Sequence, residues 1–93
     1  MAYFVARVEL HGATKSDYDR LHELMKARSF ARWIAGPDGV KRALPIGSYF
    51  SDAHASRPAA VSDVKAASTA VGKSYEFIVT EGPSTWENLP PHQ

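Results

Sequence analysis

The order of hydrophobic periodicities along this 93-residue sequence predicts an α+β fold with the element order βαββαβ. Strand-like and helix-like patterns succeed one another at Tyr3 to His11, Ser16 to Arg28, Phe30 to Ala35, Val40 to Leu44, Pro58 to Val71 and Tyr75 to Thr80. This is the order of the ferredoxin-like fold, in which four antiparallel strands form one sheet and two helices cover one of its faces. We expect the strand order fourth, first, third, second, and a bare opposite face.

The first strand alternates in polarity, which predicts the side chains that meet the helices. One set is apolar and is expected to be buried: Phe4, Ala6, Val8 and Leu10. The other set is mostly polar and is expected on the bare face: Tyr3, Val5, Arg7, Glu9 and His11. After Gly12, Ser16 is expected to begin the first helix, with Asp19 three residues later as a weak capping box.

The middle of the chain allows two interpretations. Pro37-Asp38-Gly39 predicts a tight turn after the second strand, but Pro45 and Gly47 interrupt the strand pattern beyond that turn. Either Val40 to Leu44 belongs to a long bulged hairpin that continues through Phe50, or it is a small excursion before the true third strand. The second helix is bounded more clearly, by Pro58 in its first turn and Gly72 after its last.

We divide the chain into a ferredoxin-like domain, residues 1–82, and a Pro-rich C-terminal tail, residues 83–93. Trp86 and Leu89 are the large apolar residues of the tail, and they either fold back over the domain or anchor a partner. The sequence has no cysteine, no apolar run of membrane-spanning length and no signal-peptide pattern at its start. These features predict a cytoplasmic protein that does not span a membrane.

The basic residues are unevenly distributed, although the formal net charge is only +1. Between positions 26 and 42 a single acid, Asp38, stands against five basic residues: Lys26, Arg28, Arg32, Lys41 and Arg42. A cluster of this size can neutralise several phosphates, so these five are the candidate RNA-binding residues. An ordinary solvated surface is the alternative interpretation.

Strong catalytic motifs are absent from the sequence, including phosphate-binding glycine loops, zinc-ligand spacing and nucleophile elbows. Helix capping explains Asp17 and Asp19, so no metal site and no cofactor are expected. Scattered His, Tyr and basic residues suit metal-independent RNA cleavage, which needs a base, an acid and a cation that steadies the phosphate. The candidate catalytic residue is His11, with Glu9 or Tyr3 beside it. His54 is expected roughly 20 Å from His11, too far for an acid–base pair within one subunit.

Several short motifs occur in the order typical of one known family. They are the LHELM run from Leu21 to Met25, Ser29-Phe30, the turn Asp38-Gly39-Val40 followed by Arg42 and Leu44, Ser48 with Phe50, and Ile78-Val79-Thr80. From Tyr3 to Leu89 the chain thereby resembles the GhoS antitoxin endoribonuclease family. The resemblance implies a small ferredoxin-like RNase that cuts the messenger of a membrane-damaging toxin, and it makes Arg42 a shared position. It implies no catalytic set, and Pro45-Ile46-Gly47 and the Pro-rich end depart from the family pattern.

Three functional classes therefore stay open. The first is an antitoxin that binds RNA such as a toxin messenger, either with or without cleaving it. The second is a non-enzymatic interaction module, for example a host or phage regulator, that uses the bare sheet face or an edge strand. The third is a small dimeric enzyme with a pocket between sheet and helices. A homodimer would form through the sheet face or an edge strand.

Overall fold

The computed structural model describes residues 2–92. Residue 1 of the predicted domain 1–82 and residue 93 of the predicted tail 83–93 therefore lie outside the described residues. The elements are β1 (Phe4–Leu10), α1 (Lys15–Lys26), β2 (Trp33–Ala35), β3 (Lys41–Ala43), β4 (Ser48–Ser51), α2 (Arg57–Val71) and β5 (Tyr75–Glu81). Two helices combined with antiparallel strands confirm the α+β class. No helix within residues 2–92 is both long enough and apolar enough to cross a membrane.

The strands form two sheets, which differs from the expected single sheet of four. β1 is the central strand of the larger sheet, with β4 on one side and β5 on the other. β2 and β3 pair with each other as a separate hairpin. Of the segment predicted as the second strand, Ala31, just before β2, is the residue that bonds to β4. It forms two 2.8 Å backbone hydrogen bonds with Phe50. Because β2 has only three residues and pairs with β3, it does not continue alongside β4.

The interpretation of the middle segment as an excursion is the one that the structure supports. Of the other strands, β3 pairs with β2, whereas β4 pairs with β1 in the register Phe4 to Ser51. The connection between β3 and β4 requires glycine at position 47, which has φ +87°. A Cβ there would lie 2.4 Å from the carbonyl oxygen of Val8, and the Val8 N–H donates to the Gly47 oxygen over 2.7 Å. This close approach attaches the start of β4 to the middle of β1.

The main core lies between the larger sheet and both helices, as the alternation in the first strand predicts. The inward side chains of β1 are at most 5% exposed and pack against apolar residues of both helices: Phe4, Ala6, Val8 and Leu10 against Leu21, Met25, Ala60, Val64 and Ala67. Burial of this much apolar surface is the main source of stability for a domain of this size. The opposite side chains of β1 therefore face away from the helices.

Both helices are capped by side chains, but the expected capping residue of α1 is wrong. Thr14 is the N-cap: its hydroxyl accepts a hydrogen bond from the Asp17 N–H, and the Asp17 carboxylate accepts one from the Thr14 N–H over 2.9 Å. Ser16 lies inside the first turn, because the extended backbone ends at Thr14. The Thr14 N–H also holds the pKa of Asp17 below its usual value. α2 begins after Ser56, with Pro58 in its first turn, and ends at the left-handed Gly72 as expected.

The C-terminal tail folds back, so the face opposite the helices is only partly bare. Two backbone hydrogen bonds attach the tail to the ends of β3. The Ala43 N–H donates to the Pro90 oxygen over 2.8 Å, and the His92 N–H donates to the Lys41 oxygen over 3.0 Å. Trp86 packs over Gly36, where an added Cβ would lie 3.0 Å from the indole ring. Together with Leu89, Trp86 lines a crevice that also contains Val5 and the buried Ile34. The hairpin and the tail thus cover the Val5 end of this face.

Candidate functional site

The uncovered end of this face carries four polar residues and one apolar residue that we call the open surface: Arg7, Glu9, His11, Glu76 and Ile78. The β1–β5 register sets Arg7 opposite Ile78 and Glu9 opposite Glu76. All five residues are exposed, and four of them surround a shallow depression between the two strands. The open surface is therefore built by two strands that are distant in sequence.

His11 and two glutamates meet on the open surface. The His11 Nε2 lies 2.9 Å from the Glu76 Oε1, and one ligand atom from each of Glu9, His11 and Glu76 lies within 4.8 Å of the others. Two carboxylates directly opposite each other in a sheet repel, and a protonated imidazole beside them offsets that repulsion. The arrangement thus places the His11 imidazole beside two carboxylates.

The imidazole nitrogen of His11 and the carboxylate oxygens of Glu9 and Glu76 could also coordinate a divalent cation. Imidazole and carboxylate are accepted by several first-row metals. All three side chains are exposed, however, and neither of the buried atoms without a hydrogen-bond partner in residues 2–92, Arg32 Nε and Ser68 Oγ, belongs to this cluster. The cluster can act through proton transfer alone, and removal of metal by a chelator distinguishes the two chemistries.

Of the two predicted neighbours of His11, the structure brings only Glu9 to it. Tyr3 lies at the other end of β1, where its carbonyl oxygen accepts a 2.9 Å hydrogen bond from the Gly82 N–H and its ring stacks on Phe50. Eight residues of extended chain separate Tyr3 from His11, which is roughly 26 Å at about 3.3 Å per residue. Tyr3 is therefore not beside His11. Glu76 was not among the site residues predicted from the sequence. The alternation of the last strand indicates the sheet face on which Glu76 lies, but not which residues of β1 lie opposite it.

The five candidate RNA-binding residues do not form one free basic surface. Arg28 contacts the Asp63 carboxylate at 2.8 Å, and Arg42 contacts that of Asp38 at 3.0 Å. Arg32 is partly buried and donates to the carbonyl oxygen of Leu44 over 3.3 Å. These three guanidinium groups already have partners within the chain.

Lys26, Arg32 and Lys41 have no carboxylate partner among residues 2–92, and the two lysines also lack the kind of side-chain hydrogen bond that Arg32 donates to Leu44. Both lysines lie beside Trp33. The Lys41 Nζ is 4.3 Å from the centre of an indole ring, and Lys26 lines a depression together with Trp33 and Phe50. A partly buried aromatic ring near two lysines offers the stacking and the phosphate attraction that proteins use to bind single-stranded nucleic acid.

A second histidine cluster has the residue types of a catalytic triad but is structural. The His54 Nε2 lies 2.8 Å from the Asp63 Oδ2, and its Nδ1 lies 2.6 Å from the Ser51 Oγ. Ser51 is only 2% exposed and its Oγ accepts the Ala53 N–H, so no substrate reaches it. Burial raises the pKa of Asp63, but hydrogen bonds from His54 and Arg28 outweigh it and hold that pKa below its usual value.

The two clusters are far apart, as the sequence predicts for His11 and His54. The His54 ring contacts Phe4 edge to face at 6.3 Å between ring centres, and Phe4 pairs with Ser51. Phe4 and His11 are at opposite ends of β1. His54 therefore cannot serve as the acid–base partner of His11 within one chain.

His22 is the third histidine with a defined role. Its Nδ1 shares a 2.6 Å hydrogen bond with the hydroxyl of the fully buried Tyr49. Burial raises the pKa of Tyr49 well above its usual value, and burial together with Arg32 lowers that of His22. Both shifts favour a neutral donor and a neutral acceptor, which is a packing role.

Comparison with known proteins adds no relatives. A scan against models of protein families and a search of curated proteins find no match to this chain. The resemblance seen in the order of its motifs therefore stays a prediction.

Proposed function

We propose that this protein is a cytoplasmic, antitoxin-like RNA-binding protein that cleaves RNA without a metal ion at the open surface, with a toxin messenger as its target. The observation that supports this proposal most directly is the cluster of Glu9, His11 and Glu76, whose reactive atoms lie within 4.8 Å of one another beside Arg7. Among residues 2–92 this cluster combines an exposed base, an exposed acid and a cation on one accessible surface.

The proposed reaction is an internal transesterification of RNA. Glu9 takes the proton of a 2′-hydroxyl, and the oxygen attacks the adjacent phosphorus. His11 protonates the 5′-oxygen as its bond to phosphorus breaks, which leaves a 2′,3′-cyclic phosphate and a free 5′-hydroxyl. Glu76 orients the imidazole through the 2.9 Å contact, and Arg7 steadies the charge on the phosphate.

Binding of the RNA strand is proposed to use Trp33, Lys26 and Lys41. When His11 is protonated, the charges of Arg7, Glu9, His11 and Glu76 sum to zero, so the open surface by itself attracts a polyanion weakly. The two lysines beside Trp33 supply the missing attraction, and the indole ring supplies a stacking platform of about 1–3 kcal/mol per base.

Incubation of purified protein with mixed RNA in the presence of a chelator tests the proposal. Wild type is expected to cut, and the products are expected to end in 2′,3′-cyclic phosphate. His11→Ala should reduce the rate by ~100-fold or more, the usual effect of losing a general acid or base. Tyr3→Phe is the matched control: it removes the third predicted catalytic group at the far end of β1 and should cut like wild type.

Binding is measured on the same proteins with RNA that lacks 2′-hydroxyls at the cut sites. The double variant Lys26→Ala/Lys41→Ala should bind more weakly, with a salt dependence lower by roughly 0.7 per lost phosphate contact. Arg28→Ala/Arg42→Ala, which removes two ion-paired cations, should change binding less. Cleavage that stops in chelator and returns with added metal, or wild-type cleavage by His11→Ala, would contradict the proposed mechanism.

A non-enzymatic interaction module is the second candidate. It is favoured by the ion pairing of Arg28 and Arg42, which leaves few free cations for RNA. Absence of any cleavage or RNA binding by the wild-type protein would select this candidate. A neighbouring reading frame for a short hydrophobic toxin would favour the antitoxin.

We also propose that the fold is a variant of the ferredoxin-like arrangement. The order β5, β1, β4 matches its fourth, first and third strands, and the bridge between Ala31 and Phe50 stands where its second strand would pair. In this variant the rest of the second strand has turned away to form the hairpin with β3.

A further inference from the structure

One edge of the larger sheet is open. β5 is an outer strand whose only neighbour is β1, and within residues 2–92 no other segment forms backbone hydrogen bonds to its outer side. Its seven residues run without a bulge and include neither proline nor lysine. Natural proteins block pairing at exposed edges with bulges, proline and charged side chains, lysine above all; of these devices β5 has only two glutamates, Glu76 and Glu81.

The hydrogen bonds at the two ends of β5 show which backbone groups are free. The His11 N–H donates to the Ser74 oxygen, and the Gly82 N–H donates to the Tyr3 oxygen. Because paired residues alternate along an antiparallel ladder, the even-numbered residues of β5 direct their backbone groups toward β1. The odd-numbered ones direct their N–H and C=O groups outward: Tyr75, Phe77, Val79 and Glu81.

We propose that a second copy of this chain pairs antiparallel with this edge, on a two-fold axis that passes beside Ile78. In that register Phe77 exchanges hydrogen bonds with the partner's Val79, and Tyr75 does so with the partner's Glu81. Ile78 faces the partner's Ile78 as a non-hydrogen-bonded pair, whose Cα atoms lie about 4.5 Å apart. Ile78 is 63% exposed in the single chain, so pairing buries an otherwise exposed apolar side chain.

The charges along β5 are compatible with a second copy in this register. Glu76 faces the partner's Thr80, and no two like charges are opposite. Lys73, whose Nζ lies 4.0 Å from the Asp17 carboxylate of its own chain, is diagonal to the partner's Glu81 and within reach of it. The two-fold axis repeats this contact. A register centred on Glu76 would instead oppose two carboxylates, which is destabilising. The edge is therefore complementary to itself.

The resulting dimer contains one continuous six-stranded sheet in the order β4, β1, β5 and then the partner's β5, β1 and β4. Both open surfaces lie on the same face of that sheet, because opposed residues of paired strands share a face. The dimer depends only on the edge of β5. It stands whether or not the open surface cleaves RNA.

Sedimentation equilibrium and light scattering over a wide range of protein concentration test the dimer. Wild type should reach twice the mass of one chain. Ile78→Lys and Ile78→Glu should each remain single chains, because each places two like charges opposite each other at the axis. An equimolar mixture of the two variants should restore the double mass, since opposite charges then face each other. Ile46→Lys is the matched control: Ile46 is 72% exposed in the loop before β4, away from the edge.

Ile78→Glu also guards against a folding artefact. Ile78 lies opposite Arg7 in its own chain, so glutamate gains a favourable neighbour there while lysine meets a like charge. Amide exchange gives the second readout. Dimerisation should protect the amides of Phe77 and Val79, whereas the amides of Ile78 and Thr80, which face β1, should be protected in every variant. A wild type that stays a single chain, an Ile78→Glu variant that still dimerises, or dissociation by Ile46→Lys would overturn the proposal.

Discussion

Two aspartate–arginine ion pairs differ in the burial of the aspartate, and we expect them to differ in their contribution to stability. Asp63 accepts hydrogen bonds from both Arg28 and His54, and the His54 side chain is 6% exposed. Asp63→Asn leaves one of these donors facing an amide N–H. Loss of a buried hydrogen bond to a charged group should lower the free energy of unfolding by about 1–3 kcal/mol, measured by urea denaturation at neutral pH.

Asp38→Asn is the control, because the Asp38 carboxylate is more exposed than that of Asp63 and the amide oxygen can still accept the Val40 N–H. Its expected cost in the free energy of unfolding is smaller. The pH dependence of the free energy of unfolding in acid is a second way to test the role of Asp63. The pKa of Asp63 is lowered on folding, so its contribution is complete above its unfolded value of 3.8 and is lost as pH falls through the folded value. Asp63→Asn should lack that part of the acid destabilisation, and equal losses in the two variants would contradict this account.

At the level of whole elements, the start of α1 offers a test of its capping register. Thr14→Ala removes the hydroxyl that accepts the Asp17 N–H, and it should cost about 1 kcal/mol in the free energy of unfolding. Ser16→Ala replaces the residue that the sequence predicts as the N-cap of α1. Because Ser16 lies inside the helix, its replacement should stay within about 0.5 kcal/mol. A larger loss for Ser16→Ala than for Thr14→Ala in chemical denaturation would reverse the assignment.

At the scale of the whole molecule, the hairpin and the tail form a second layer on the sheet, opposite the helices. The two tryptophans, Trp33 and Trp86, belong to this layer, whereas α1 and α2 lie on the other side. The layer shares the sheet with the main core, so we expect it to unfold with the core in one transition. Tryptophan fluorescence and far-ultraviolet circular dichroism should then report the same denaturation midpoint.

Trp86→Ala should lower both midpoints together. The expected loss is about 2 kcal/mol, less than the ~3–5 kcal/mol of a fully buried tryptophan, because Trp86 is only partly buried. Glu87→Ala, an exposed change in the same segment, is the control. A fluorescence transition that precedes the dichroism transition would show that the second layer unfolds by itself.

Local patterns in the sequence were sufficient for the class of fold and for the direction of most side chains. Alternation in the first strand predicted that Phe4 and Val8 face the helices and that Glu9 and His11 face away. Such a pattern is informative by itself because side chains alternate with a period of two and one face has to be buried. Pro58 and Gly72 likewise marked the ends of α2, since each acts on its own backbone.

Only the tertiary structure decided which distant residues meet. The register of β5 on β1 puts Glu76 beside His11 and leaves Tyr3 at the far end. The fold of the tail covers part of the face expected to be bare. Ion pairs with Asp63 and Asp38 occupy two of the five basic residues. Pairing between segments far apart in the chain depends on strand register and on packing of the whole core, and no local pattern in either segment specifies its partner.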